Sequence, residues 1–299
     1  MSQRFCKTLA VACLCTLPAF CAVANVTAAI VGESVEVRVD DALFTAYKFG
    51  GGQKYPYFWP VNGPASGESI TTETSEPYPH HHSLFFGCDH VNGGNYWQDT
   101  NERGQVLSQG PAIVESGGER VVFTDTCLWK KPGEDPVIRD ARTITIAAPD
   151  DATRYIDFEI TLESLVDVTI TKTNHSLFSA RVVPELSVES GGTLVNAQGD
   201  TSEAGTYGVE SPWCDYSGTR DGVTEGIAIL QNPGNRWYPS KWFTRDYGFF
   251  SPTPMYWLEN DRLELPRGET LTLRYRVVVH TGNAEAANIA EHFRKYEEE

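Results

Sequence analysis

The 299-residue chain carries 40 acidic and 24 basic side chains, a formal net charge of −16, with 40% hydrophobic and 11% aromatic residues. So acidic a chain repels phosphate backbones, which argues against nucleic acid and anionic membrane as partners. The length fits one large domain or two small ones, and no low-complexity run, Pro/Ser-rich hinge or internal repeat marks a boundary.

The N-terminus reads as a cleavable export signal, residues 1–24. Arg4 and Lys7 form a basic start, an apolar run follows from Leu9 to about Ala24, and Ala22-Val23-Ala24 supplies small residues at the cleavage spacing. A membrane-spanning helix needs about 20 unbroken apolar residues. This run is short and contains Pro18. The expectation is a secreted or periplasmic protein, residues 25–299, forming a single β-sandwich domain with no membrane contact after cleavage. Losing Arg4 and Lys7 takes the formal charge from −16 to −18 over 275 residues. Cys88, Cys127 and Cys214 remain, an odd number at spacings that match neither a zinc ribbon nor a redox pair, so packing or one bridge is expected.

The mature chain then reads as strand after strand. Ser34–Val39 alternates, with Val35, Val37 and Val39 on one face, and Arg120–Phe123 does the same. Arg142–Ile146, Tyr155–Leu162 and Val168–Thr173 continue the pattern with β-branched residues. Gly226–Leu230, Leu263–Leu265 and Leu271–His280 close the series, punctuated by turn residues such as Ala148-Pro149-Asp150-Asp151 and Gly191-Gly192. Only Asn283 to about Tyr296 looks helical, with Ile289 and Phe293 at a four-residue spacing. Many alternating strands and one terminal helix predict an all-β fold, a large double-sheet sandwich with a short C-terminal helix.

Four segments read as irregular but hold most of the aromatic and histidine residues: Lys54–Pro60, Pro77–Trp97, Ser211–Gly218 and Asn232–Pro254. Loops on a rigid sheet are where binding and catalysis concentrate. Flat rings beside polar tips suit a sugar, whose C–H face needs apolar area and whose hydroxyls need donors and acceptors. Burial of the same rings as core is the competing reading.

Pro79-His80-His81-His82-Ser83 is the sharpest local feature. In an extended segment His80 and His82 share a face and His81 points away. Two convergent imidazoles can poise a proton near neutral pH or hold a metal. No cofactor is expected, and a metal at His80–His82 is the one exception considered. His90 is a further ligand candidate for it.

Thr173-Asn174-His175-Ser176-Leu177-Phe178 resembles the Thr-Asn-His-Ser-aromatic-Phe motif of the aldose 1-epimerases, or galactose mutarotases, with Leu177 in place of Tyr. The resemblance implies a galactose mutarotase-like β-supersandwich with its site in a sheet concavity. It also implies that His175 is the general acid that protonates the sugar ring oxygen. A second resemblance covers most of the mature chain. It rests on Tyr57-Phe58-Trp59-Pro60, the segment Pro79 to Phe86, Val91-Asn92-Gly93, Arg181 to Leu186, Pro212 to Gly218, Asn232-Pro233-Gly234-Asn235 and Arg245-Asp246-Tyr247-Gly248. These resemble the secreted bacterial PmoA-like family. Its name is borrowed from a multi-helix methane monooxygenase subunit, and it does not imply methane oxidation for a chain whose one apolar run is a leader. The family usually has His-His-Arg where this chain has His80-His81-His82.

Together these point to a carbohydrate-active enzyme. His175 would be the acid, His80 or His81 would orient substrate or share the chemistry, and Asp246 or Glu185 would be the base. His82, Trp97, Arg181, Trp213, Asp215, Tyr216, Trp242 and Arg245 would contact the sugar. The reaction would be epimerisation, hydrolysis or elimination. Two alternatives stand beside it: a non-catalytic glycan-binding module, and a metal-dependent oxygenase with three ligands drawn from His80, His81, His82, His90 and His175. The expected partner is a sugar or glycan.

Overall fold

The computed structural model describes residues 24–299. The expected export leader lies outside the described residues, apart from Ala24.

The alternating segments build an antiparallel sheet of nine strands. Thr193–Asn196, Trp213–Arg220, Val223–Gln231, Thr270–Thr281, Thr153–Ser164, Ile138–Asp150, Arg120–Lys130 and Gln105–Ser108 lie side by side in that order, with Ala112–Glu115 also on Arg120–Lys130. The register Ile144↔Phe158↔Tyr275 and Ile146↔Ile156↔Val277 places one period-two set on a single buried face.

Eleven strands form the other sheet. Its path runs Val26–Val31, Ser34–Val39, Ala42–Lys48, Tyr57–Val61, Leu84–Val91, Leu177–Arg181, Phe249–Pro252, Trp242–Arg245. Gly94–Tyr96, Val168–Thr171 and Arg262–Leu265 attach at its side. Phe58, Phe86 and Phe178 of this sheet meet Phe158, Trp129 and Tyr275 of the other. Burying each such ring contributes about 1.5–3 kcal/mol, and this layer closes the sandwich. The expected all-β sandwich with a short C-terminal helix is the fold observed.

The aromatic segments are only in part loops. Tyr57–Val61, Leu84–Val91, Trp213–Arg220, Trp242–Arg245 and Phe249–Pro252 are strands. They lack alternation because they are covered on both faces; in Leu84–Val91 every residue but His90 is buried. A ring on such a strand belongs either to the core or to the sheet's outer face. Paired residues share a face, so Phe85, Ser179, Arg181, Phe249 and Arg245 all project outward through the pairs Phe85↔Ser179, Arg181↔Phe249 and Arg245↔Phe249.

The terminal helix is Ile289–Glu297, shorter than expected, because Asn288 adopts a left-handed conformation with φ of 54°. Ile289, Phe293 and Tyr296 pack on Trp213, Ala228, Leu230 and Val278, the outer face of the nine-stranded sheet. Cys88, Cys127 and Cys214 are buried free thiols, so packing is their role rather than a bridge. Among the described residues no helix is long and apolar enough to cross a membrane.

Candidate functional site

A cleft of about 270 Å³ opens on the outer face of the eleven-stranded sheet, lined by Tyr78, His80, His81, Gln98, Asn174, His175, Phe243, Arg245 and Tyr247. Larger cavities of about 410 and 490 Å³ lie elsewhere, one beside the C-terminal helix and the other around Trp237 and Trp257. The smaller cleft is the one of the three where histidines converge.

His175 sits on the segment linking Val168–Thr171 to Leu177–Arg181. Ser176 and Leu177 both take positive φ, 136° and 76°, which is costly for side-chain-bearing residues and concentrates at functional sites. Backbone contacts hold this bend in place: the Asp89 N–H donates to Ser176 Oγ (3.1 Å) and the Thr173 N–H to the Met255 carbonyl (3.2 Å). The His175 ring lies 4.1 Å from the Trp97 ring, 4.9 Å from Phe243 and 6.2 Å from His81, centre to centre. Trp97 lies flat against the sheet because residue 87 is glycine; a Cβ there would sit 3.2 Å from the Trp97 Cβ and Cγ.

The histidine run is a turn, not a strand: the His81 N–H donates to the Tyr78 carbonyl (3.0 Å). The pairing expected from an extended segment is therefore reversed. His80 and His81 stand together in the cleft, ring centres 4.5 Å apart. His82 turns away, stacks 4.7 Å from Tyr57 and bonds the Glu73 carbonyl through Nδ1 (2.6 Å). His81 packs 4.4 Å from Phe249 and 5.1 Å from Tyr78, with neither ring nitrogen hydrogen-bonded.

Burial dominates the electrostatics. It pushes His80 down to about 4, His81 to about 2 and His175 to about 3, and neighbouring charges add to each shift: His82 for His80, His80 for both others, and Arg245 for His175. All three are neutral imidazoles at neutral pH in the free protein. Asp89, absent from the sequence reading, lies behind His175 with Oδ2 4.0 Å from Nδ1. Burial raises its pKa, and its Oδ2 accepts from Thr173 Oγ1 (3.2 Å) and Gln98 Nε2. Its signal was a lone carboxylate inside the apolar run Leu84–Val91.

An unfolded histidine binds its proton near pH 6.5; these folded ones bind theirs only at about 4, 2 and 3. Between those values the unfolded chain holds more protons than the folded one, so stability falls as pH drops below about 6.5. The thermal midpoint is expected to fall between about pH 7 and pH 5, and ring-proton NMR should place the titration of His175 below about pH 5. A His175 midpoint near 6.5 would contradict the burial that sets its state.

Arg245 lines the cleft, donates to Glu203 Oε1 (2.9 Å) and spreads over Phe243 at 4.1 Å. Arg181 lies behind the cleft wall, 4.3 Å from the Tyr247 ring. Trp97 is buried beside His175, outside the lining, and donates Nε1–H to the His80 carbonyl (3.1 Å). Asp246 is not in the lining; its Oδ1 accepts the Glu203 N–H (2.6 Å) and so caps the short helix Ser202–Thr206. Glu185 is exposed on the turn Pro184–Leu186, outside the lining. Trp242 is buried, its Nε1–H on the Ser211 carbonyl (2.8 Å), and Tyr216 is buried with its hydroxyl on the Arg245 carbonyl. Tyr78 and Tyr247, stacked 5.1 Å apart in the cleft wall, were not among the expected site residues.

Trp213 and Asp215 face the opposite side of the molecule. Trp213 lines the cavity beside the C-terminal helix. Asp215 is fully buried with Oδ2 2.7 Å from His280 Nε2. Gly226 makes room for that pair, since a Cβ there would lie 2.5 Å from His280 Cε1 and 2.8 Å from Ser217 Cβ. Gly226→Ala is expected to cost about 1–3 kcal/mol through overpacking, read as a lower thermal midpoint with the cleft chemistry retained. An unchanged midpoint would mean that the pair is not held in place.

The oxygenase reading needs three convergent ligands. Among the described residues no group of three or more His, Cys, Asp or Glu side chains is placed to hold a metal ion. His82 is turned away and His90 is exposed.

Fold and site together define a two-sheet β-sandwich with a cleft of neutral histidines and aromatic rings on one outer face. The chain belongs to a family of unknown function, DUF6807, whose model matches residues 34–294. No curated protein matches it. Solved structures similar to it include a kojibiose phosphorylase candidate from human microbiome, at 9% identity and TM-score 0.37, over 86% of this chain and 32% of that one. This chain thus spans about a third of that protein. A galactose mutarotase related enzyme from Lactobacillus acidophilus is similar at 9% identity and TM-score 0.37, over 85% of this chain and 97% of that one.

Proposed function

We propose that this protein is an exported carbohydrate-active enzyme that moves protons on a sugar with imidazole groups. The observation that carries the reading is the convergence of His80, His81 and His175 in one cleft walled by Tyr78, Tyr247 and Phe243. The rings offer flat area for a sugar's C–H face. Gln98, Asn174 and Arg245 offer hydrogen bonds to its hydroxyls.

Because burial keeps His175 neutral in the free protein, it enters as a proton acceptor. It acts as the acid implied by the mutarotase resemblance only after taking a proton from the substrate. This suits ring opening, epimerisation or elimination, where one group removes a proton and returns it. Hydrolysis by a carboxylate pair finds less support, since no Asp or Glu lines the cleft. The same observation favours a second reading, a glycan-binding module without turnover. The PmoA-like resemblance supports export. Protein recovered from a bacterial host's periplasm would begin at Asn25; an intact Met1 there would oppose cleavage.

The test is incubation of the mature chain with neutral and acidic oligosaccharides in D₂O, followed by NMR. Deuterium incorporation, a shifted anomeric ratio or a new unsaturated product supports the enzyme. Bound sugar with none of these leaves the binding module, and no bound sugar of any kind sinks both.

A further inference from the structure

One cation near the cleft makes no ion pair. Arg181 is 5% exposed, and its Nε and Nη1 are buried without a hydrogen-bond partner. It makes no salt bridge among the described residues. A buried guanidinium without a carboxylate is costly, and natural chains pair it or use it. Its place in the register is opposite Phe249, the ring on which His81 packs at 4.4 Å. Its guanidinium lies 4.3 Å from Tyr247, and Tyr247 lines the cleft.

The cleft lining itself has one arginine and no carboxylate, in a chain with 40 acidic and 24 basic residues. The carboxylate whose charge reaches Arg181, Glu189, is exposed and makes no ion pair with it, and those beside the cleft are already engaged. Glu203 is held by Arg245, Asp246 by the Glu203 N–H, and Asp89 by Thr173 and Gln98. Two guanidinium groups therefore flank Tyr247, Arg181 unpaired at 4.3 Å and Arg245, ion-paired to Glu203, in the lining, around a site with no carboxylate in its wall.

We infer that the cleft selects a sugar bearing a carboxylate, a uronic acid residue, with Arg181 and Arg245 supplying the positive charge that receives it. The inference rests on the sugar-active reading above and names its substrate class. Arg245, in the lining, can donate hydrogen bonds to that carboxylate, while Arg181, behind Tyr247, acts through its charge. A bound carboxylate also favours the protonated form of the histidines beside it, which burial otherwise holds neutral. The substrate would thus bring the charge that lets His175 hold a proton.

The test is an array of neutral, uronate-bearing and sulfated oligosaccharides probed with the mature wild-type chain, Arg181→Met, Arg181→Lys and Arg245→Gln. The expected result is binding confined to uronate glycans. Arg181→Met should weaken it about thirtyfold or more, as loss of one partner of a buried charge pair does, and Arg181→Lys by less. Arg181→Met should also melt no lower than wild type, because it removes an unpaired buried charge and keeps the packing stem; a marked fall would make Arg181 structural and overturn its part. If the bound glycans are neutral or only sulfated, the carboxylate assignment fails while the sugar reading stands. If nothing binds, both fail.

Discussion

Replacing His175 by glutamine is expected to lower turnover of the bound sugar by about 10²–10⁴-fold, the range for removing a positioned acid–base group. Glutamine keeps volume and hydrogen-bonding capacity but cannot cycle a proton. The ring is positioned on every side. Trp97 lies at 4.1 Å, Phe243 at 4.9 Å and the buried Asp89 carboxylate 4.0 Å from Nδ1. His175→Gln should therefore bind sugar with little change and stop its isotope exchange. Turnover equal to wild type would remove His175 from the chemistry and pass the role to His80 or Tyr247.

Asp140→Ala is expected to cost about 3–5 kcal/mol, because it strands a buried cation. Asp140 and Arg142 are both fully buried between the sheets. Arg142 Nε and Nη2 donate to Asp140 at 2.8 and 2.9 Å, and Trp129 Nε1 donates to it at 2.7 Å. Arg142 Nη1 reaches the Tyr47 hydroxyl (3.3 Å), which donates to Asp125 (2.9 Å). Loss of Asp140 leaves Arg142 with that long hydrogen bond, the Phe158 ring at 5.8 Å and the charge of Asp125, to which it is not bonded. For a domain of this size the thermal midpoint should fall by about 10 °C, while Asp140→Leu with Arg142→Met should recover much of it. A shift under about 1 kcal/mol in denaturant unfolding would mean that the pair is not desolvated.

Much of the sandwich was legible in the sequence because a sheet with one solvated face writes period two. Tyr155–Leu162 and Leu271–Tyr275 alternate for that reason, and they pair in register, whereas Tyr275–His280 is buried throughout where the C-terminal helix covers it. The aromatic strands were not legible as strands. Leu84–Val91 and Phe249–Pro252 are covered on both faces, so their pattern carries no period. His175 and His80–His81 were legible as chemistry-bearing groups. Their meeting was not, because it depends on a turn at Tyr78–His81 and a two-residue positive-φ bend at Ser176-Leu177. Those are tertiary choices that histidine spacing does not encode. The carboxylates misled for a related reason. Asp246 follows Arg245 in sequence, but the strand ends at Arg245, and Asp246 turns to cap Ser202–Thr206. Asp89 escaped notice because one acid inside an apolar run looks like a solvated edge until its neighbours are placed around it.

The central claim is that the histidine–aromatic cleft is where sugar binds. The most direct measurement is a crystal structure of His175→Gln soaked with a glycan that the wild-type chain retains. A sugar ring stacked on the Tyr78–Tyr247 wall is expected, with a hydroxyl or ring oxygen within hydrogen-bond reach of residue 175 and His80. Sugar seated instead beside Trp213 and the C-terminal helix, with the cleft filled only by water, would contradict it.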